Sequence, residues 1–140
     1  MKELSEKLKE FCEKAELMRL SYVDKNGGPH AVPIWFTALE GCYYFGTYST
    51  ALKTKALKSN PKAGWVIDDG ERPRYWGASF SGHVEEVNDA TLRELIYKRL
   101  GEKYYGNTED EEFIKVYGLA DDANTTYFKL VPEIQTSWEY

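Results

Sequence analysis

The stretch YYFGTYSTALKTKALKSNPKAGWVID, residues 43–68, decides how this chain folds. Its aromatic opening reads as a strand. The hydroxyls of Ser49 and Thr50 then offer an N-cap to a helix, and Asn60-Pro61 stops that helix. KAGWVIDD, residues 62–69, resumes as a strand. The helix is unusual in its charge. Lys53, Lys55, Lys58 and Lys62 crowd around it in a chain whose net charge is -5, from 18 basic and 23 acidic residues. A helix N-terminus carries unpaired N–H groups and about half a positive charge, so hydroxyls and a lysine beside it can hold a phosphate. Lys53, in the first turn, is placed to reach such an anion, with Lys55 second. Lys58 and Lys62 are expected to face solvent. Neither the GxxxxGK nor the GxGxxG pattern occurs.

On the N-terminal side, Leu4, Leu8, Phe11 and Ala15 recur at helical spacing, predicting an amphipathic helix over residues 2–16. Two hairpins should follow, turning at KNGG and at Glu40-Gly41 and forming an antiparallel meander. Pro33 marks its strand as an edge or a bulge. Ile34 and Trp35 would wall a ligand site there or, taken separately, serve as core.

On the C-terminal side, DGERPR reads as a loop and residues 75–87 as a long strand that Gly77 and Gly82 could bend. A helix capped by Asn88 or Asp89 carries Leu92, Leu95, Ile96, Leu100 and Tyr104. An acidic helix over 111–116 and two strands, TTYFKLVP and IQTSWEY, end the chain. Six or seven short strands suit an α+β barrel with flanking helices, which removes exposed edges. One domain over residues 1–140 is expected.

The acidic balance argues against a nucleic-acid or anionic-membrane partner. No apolar run approaches the ~20 residues that span a bilayer, and the charged N-terminus does not read as a signal peptide. Cys12 and Cys42 are too few and too distant for a disulfide framework, which suits a cytoplasmic protein. His30 and His83 lack any metal-ligand spacing, so no metal is expected. Asp68 and Asp69 with Arg72 and Arg74 read as a solvated loop whose arginines could reach a substrate across a dimer.

The ordered set NGGPHAVPIWF, YYFGTYSTALKTKALKSNPKAGWVID and YWGASFSGHVEEV resembles the FMN-binding split-barrel proteins related to pyridoxamine 5'-phosphate oxidase, over about half the chain. The resemblance implies an antiparallel split β-barrel and a homodimer with FMN in clefts between subunits. It implies that Ala31, Val32, Pro33, Ile34 and Trp35 present backbone to the flavin ring. Thr47, Tyr48 and Ser49 would meet the ribityl and phosphate, Lys53 the phosphate, and Lys55 would supply the charge of a family arginine replaced by Leu52. Residues 75–78, with Trp76 and Gly77, would complete the site from the other subunit, and Trp138 would lie near the flavin.

Departures accompany the match. Ala31 and Phe36 stand where the vitamin-forming oxidase has an arginine and a substrate-binding lysine, and its basic C-terminal motif is replaced by IQTSWEY. The resemblance therefore implies a retained cofactor site and a different small-molecule substrate. It designates no catalytic residue. Two other readings remain: a deazaflavin-dependent reductase of the same fold, and a non-catalytic flavin-binding or storage module.

Overall fold

The computed structural model describes residues 1–139; Tyr140, the end of the expected last strand, lies outside the described residues. In chain order the elements are α1 (Glu6–Lys14), β1 (Met18–Val23), β2 (Pro29–Ile34), β3 (Thr37–Leu39), β4 (Cys42–Tyr48), α2 (Leu52–Ser59), β5 (Lys62–Glu71), β6 (Arg74–Glu86), α3 (Ala90–Tyr105), α4 (Glu111–Tyr117) and β7 (Thr125–Glu139). The strands form one antiparallel sheet in the order β2-β1-β5-β6-β7-β4-β3.

Local chemistry explains most boundaries. Ser5 caps α1 by accepting from the Leu8 amide at 3.2 Å, and Asp89 caps α3 by accepting from Leu92 at 2.8 Å. Gly106 ends α3 in the left-handed conformation, φ 81. Glu40 and Gly41 both have positive φ, the requirement of a two-residue hairpin turn. At the β1–β2 turn the Asp24 carboxylate accepts from the amides of Asn26 and Gly28, each at 2.9 Å.

Several expectations change. The two N-terminal hairpins do not form a meander, because β2 and β3 lie at opposite ends of the strand order. Only Trp35 and Phe36 join them, so the two edges must approach one another. The sheet thus curls into a barrel, split at a seam where β2 and β3 do not pair. Closure by strand pairing, which would remove every edge, is absent among the described residues.

DGERPR is not a loop. Its ladder continues through Asp69↔Trp76 and Glu71↔Arg74, leaving only Arg72-Pro73, joined by a cis peptide, to turn. The two C-terminal strands are one, β7, whose irregularity faces Ser81/Gly82. A Cβ on Gly82 would run into the Val131 carbonyl, whereas Gly77 sits in regular pairing and bends nothing. On α3, Leu95 points away from the core at 41% exposure while Ile96 and Leu100 are fully buried.

Two apolar clusters result. The barrel interior holds Met18, Leu20, Phe36, Phe45, Trp65, Ile67, Phe80 and Phe128, with Trp65 stacked on Phe80 at 5.3 Å. Outside it, α3 and α4 pack Ile96, Leu100, Phe113 and Tyr117 against Tyr44 and Tyr127. At roughly 1.5–3 kcal/mol per fully buried large side chain, the barrel interior is the larger source of stability.

Candidate functional site

The turn from β4 into α2 is built by hydroxyls, but not as capping predicts. The N-cap is Ala51, with no side-chain hydrogen bond. Ser49 is turned to the other side: its hydroxyl donates to the Ala123 carbonyl at 2.9 Å, lies 2.9 Å from the Thr126 hydroxyl, and its amide donates to Asn124 at 2.7 Å. Ser49 is therefore held by the segment before β7 and cannot cap. Thr50 makes no cap either. The residue that ties the helix to the strand is Thr54, fully buried, which donates to the Tyr48 carbonyl at 2.6 Å and lies 3.5 Å from the Thr47 hydroxyl.

The consequence is a helix start without a side-chain cap, its first-turn N–H groups left for another acceptor. Lys53 stands in that turn. It is half-buried, its ammonium pushed below the ordinary lysine range by burial, and among the described residues no carboxylate pairs with it. A desolvated, unpaired cation is unfavourable by itself and becomes favourable when an anion arrives. Lys55 is exposed, and Lys58 is not simply solvated but pairs with Glu86 at 3.2 Å.

Strand β2 is an edge, as Pro33 requires. Ala31 and Pro33 point outward, Val32 is half-buried and Ile34 is buried in the barrel. Small outward side chains on an unpaired edge leave the backbone of 31–34 open to a flat partner. Trp35 turns elsewhere. Its ring stacks on Tyr104 at 4.3 Å and 8°, and meets Tyr105 and Tyr117 at 5.7 Å and 6.4 Å.

The third group lies apart. Gly77 faces Trp138 across β6 and β7, and Trp76 packs edge-on against Phe11 of α1 at 6.2 Å. Helix α2 touches β6 near the opposite end, where Lys58 meets Glu86. From Gly77 to Glu86 the strand runs roughly 30 Å at ~3.3 Å per residue. One chain therefore brings Thr47, Tyr48 and Lys53 together at the start of α2, and Trp76, Gly77 and Trp138 together nine or more residues along the strands from the Lys58–Glu86 contact.

Five surface clefts of about 390–500 Å³ are lined by neither Lys53 nor residues 31–35. Among the described residues no cluster of His, Cys, Asp and Glu is arranged to hold a metal. His30 bonds Asp24 at 2.8 Å and stacks on Tyr22, and His83 bonds Glu85 and Glu133 at 2.9 Å and 3.1 Å. Cys12 and Cys42 are free thiols; burial pushes Cys12 up to about 11, leaving it protonated and unreactive at neutral pH. No helix among the described residues is long and apolar enough to cross a membrane.

Sequence reasoning missed Thr54 and three residues of α3: Arg99, Lys103 and Tyr104. Tyr104 was read within the apolar stripe. The available signal was two cations and a hydroxyl within six residues on a helix otherwise destined to cover the barrel.

The chain matches the family model for pyridoxamine 5'-phosphate oxidase over residues 4–137. No curated protein matches it. Among solved structures it is similar to the heme storage protein HutZ of Vibrio cholerae, with 22% identity, 99% of this chain and 95% of that one covered, and a TM-score of 0.75. An F420 reductase has 22% identity, 95% and 98% coverage and a TM-score of 0.71. A FAD-binding protein of Mesorhizobium loti has 18% identity, 96% and 94% coverage and a TM-score of 0.71. These likenesses establish the fold.

Proposed function

The chain belongs to the pyridoxamine 5'-phosphate oxidase family, and from that premise we propose that it is a flavin-binding oxidoreductase holding FMN between the subunits of a homodimer. The observation that carries this reading is Lys53: a half-buried lysine with no carboxylate, in the first turn of a helix that no side chain caps. An FMN phosphate would satisfy both the ammonium and the helix N–H groups. Thr47 and Tyr48 would meet the ribityl chain, with Ser49 behind them, and the edge backbone of residues 31–35 would face the ring. Lys55 would add charge at longer range.

Separation of the two residue groups supports the dimer. Trp76 and Gly77 on β6, with Trp138 opposite them on β7, lie nine or more residues along their strands from the level where α2 meets β6, and a second copy would bring them to Lys53. Exposed Tyr48 and Leu52, at 55% and 57%, flank Lys53 and would be covered in such an interface.

The bound flavin would supply the redox chemistry. The chain would fix the phosphate, orient the ring against an edge strand and exclude water from it. One domain over residues 1–140, acting in the cytoplasm on a small molecule other than pyridoxamine phosphate, completes the reading. Ala31, Phe36 and the acidic tail support that exclusion.

Absorption spectra of the purified protein, before and after FMN addition and gel filtration, test the cofactor. Retained flavin bands at one FMN per chain in a dimer-sized peak are expected; failure to retain FMN would overturn the reading. A deazaflavin reductase is the second reading, favoured by the likeness to an F420 reductase and by exposed Lys55 beside Lys53. Retention of the deazaflavin instead of FMN would select it. The likeness to a heme storage protein favours the third, a non-catalytic binding or storage module. Turnover of reduced nicotinamide with an added acceptor separates that module from an enzyme.

A further inference from the structure

The barrel seam leaves a particular problem at residues 36–38. Phe36 lies between β2 and β3 and is fully buried, yet no strand pairs with it. Its N–H and C=O must find other partners or incur the cost of burial unsatisfied. Helix α3 supplies them. The Phe36 amide donates to the Tyr104 hydroxyl at 3.0 Å, and that hydroxyl donates to the Glu16 carbonyl at 2.8 Å. Lys103 Nζ donates to the Phe36 carbonyl at 3.0 Å and sits 3.8 Å from the centre of the Phe36 ring. Arg99 donates through Nε to the Thr37 hydroxyl at 3.0 Å and through its terminal nitrogen to the Ala38 carbonyl at 2.7 Å. Tyr104 also carries the stacked ring of Trp35.

We propose that Tyr104 and Lys103 are positioning residues: they clamp the exit of the edge strand formed by residues 31–35 and thereby set how its backbone meets the flavin ring. The proposal rests on the FMN reading of that strand. Three side chains from one helix replace the strand partner that the split barrel lacks: Tyr104 and Lys103 act on Phe36, the residue directly after Trp35, and Arg99 on Thr37 and Ala38 beyond it. Loosening them frees the strand's exit at Trp35 and Phe36 without unfolding the barrel, because the ladder from Met18↔Ile34 to Val23↔Pro29 still holds the rest of β2.

The Lys103 end of the clamp responds to pH. Its surroundings are the Phe36 and Tyr104 rings, the Glu16 carboxylate and the Arg99 guanidinium. Burial first of all, with Arg99 adding to it and Glu16 opposing, brings its ammonium down to about 8. Deprotonation removes the cation from the Phe36 ring face and leaves a weaker donor to the carbonyl.

The test compares wild type, Tyr104→Phe, Lys103→Met and Lys103→Arg, with Lys98→Ala on the exposed face of α3 as control. Amide exchange at Phe36 should quicken roughly tenfold or more in Tyr104→Phe. The same variant should bind FMN roughly tenfold more weakly. Wild type should bind FMN less well above about pH 8, a fall that Lys103→Met and Lys103→Arg both reduce to the part Lys53 contributes, Lys103→Arg keeping the low-pH affinity of wild type. Phe36 exchange unchanged in a folded Tyr104→Phe overturns the clamp. Faster exchange with unaltered FMN affinity overturns its positioning role. Wild type that retains no FMN overturns the cofactor reading instead, which separates the two failures. Should Tyr104→Phe not fold, Lys103→Met decides the matter alone: a pH step smaller than that of wild type upholds the clamp, and an equal one overturns it.

Discussion

Thr54, in the first turn of α2, donates its hydroxyl to the carbonyl of Tyr48, the last residue of β4, at 2.6 Å. This bond, rather than an N-cap, holds strand and helix together at the phosphate end of the proposed site. With the Ala51 amide, which donates to the same oxygen at 3.0 Å, it anchors the Tyr48 carbonyl while leaving the helix N-terminus open.

Thr54→Val preserves the shape of the side chain and removes the donor. The Tyr48 carbonyl then keeps only the Ala51 amide, at 3.0 Å, and the lost hydrogen bond costs about 0.5–1.5 kcal/mol. A lower urea midpoint with an unchanged slope is the expected result. An unchanged midpoint would show that the turn does not depend on this bond.

Lys53→Met should move two measurements in opposite directions. Because burial lowers the ammonium's pKa, charge there is unfavourable in the empty protein, so the variant should unfold at an equal or higher denaturant concentration. FMN affinity should fall by ten- to more than a hundredfold, or about 1.5–3 kcal/mol, through loss of a charge-assisted contact. Lys58→Ala breaks only the exposed pair with Glu86 and should leave affinity alone. Titration calorimetry and urea melts on the same preparations distinguish these effects.

His83 predicts a small pH dependence of stability. Hydrogen bonds to Glu85 and Glu133 raise its pKa in the folded state. The folded protein therefore binds the proton more tightly than the unfolded chain. The associated stabilisation is fully present below the unfolded value, ~6.5, and is lost as pH rises through the folded one. Relative to wild type, His83→Gln should lose most stability near pH ~6 and least in mild alkali, with a difference under ~1 kcal/mol because the half-exposed ring and its exposed carboxylate partners are screened by solvent. Thermal melts across that range would show it; a difference growing with pH would contradict it.

Gly77→Ala should destabilise the protein before any cofactor is considered. The new Cβ would lie 2.7 Å from the Ile67 carbonyl and 2.8 Å from the Asp68 Cβ, forcing β5 and β6 apart. A loss of about 1–3 kcal/mol is expected from such overpacking. Equal stability of the two proteins would mean that the strands yield without cost, and would leave cofactor approach as the reason for glycine.

Much of the fold was legible because short-range chemistry determines it. The Glu40-Gly41 turn, the Asp89 cap and the Asn60-Pro61 stop each depend on neighbours a few residues away. Lys53 was legible for the same reason, as a cation in a first turn. Ser49 was misread as a cap because its partners, Ala123 and Thr126, lie more than seventy residues along the chain. DGERPR looked like a loop because its charges suit solvent, and an exposed two-stranded ribbon suits them equally well.

The sequence by itself determined the kinds of element, the edge character of the Pro33 strand and the family to which the cofactor reading belongs. These follow from backbone freedom, side-chain period and an ordered set of motifs. Only the tertiary structure decided that β2 and β3 stand at opposite ends of the sheet order, that α3 holds the seam between them, and that Ser49 is held by Ala123 and Thr126. Those are questions of which unpaired backbone group or buried charge finds which distant partner, and a local pattern carries no record of that choice.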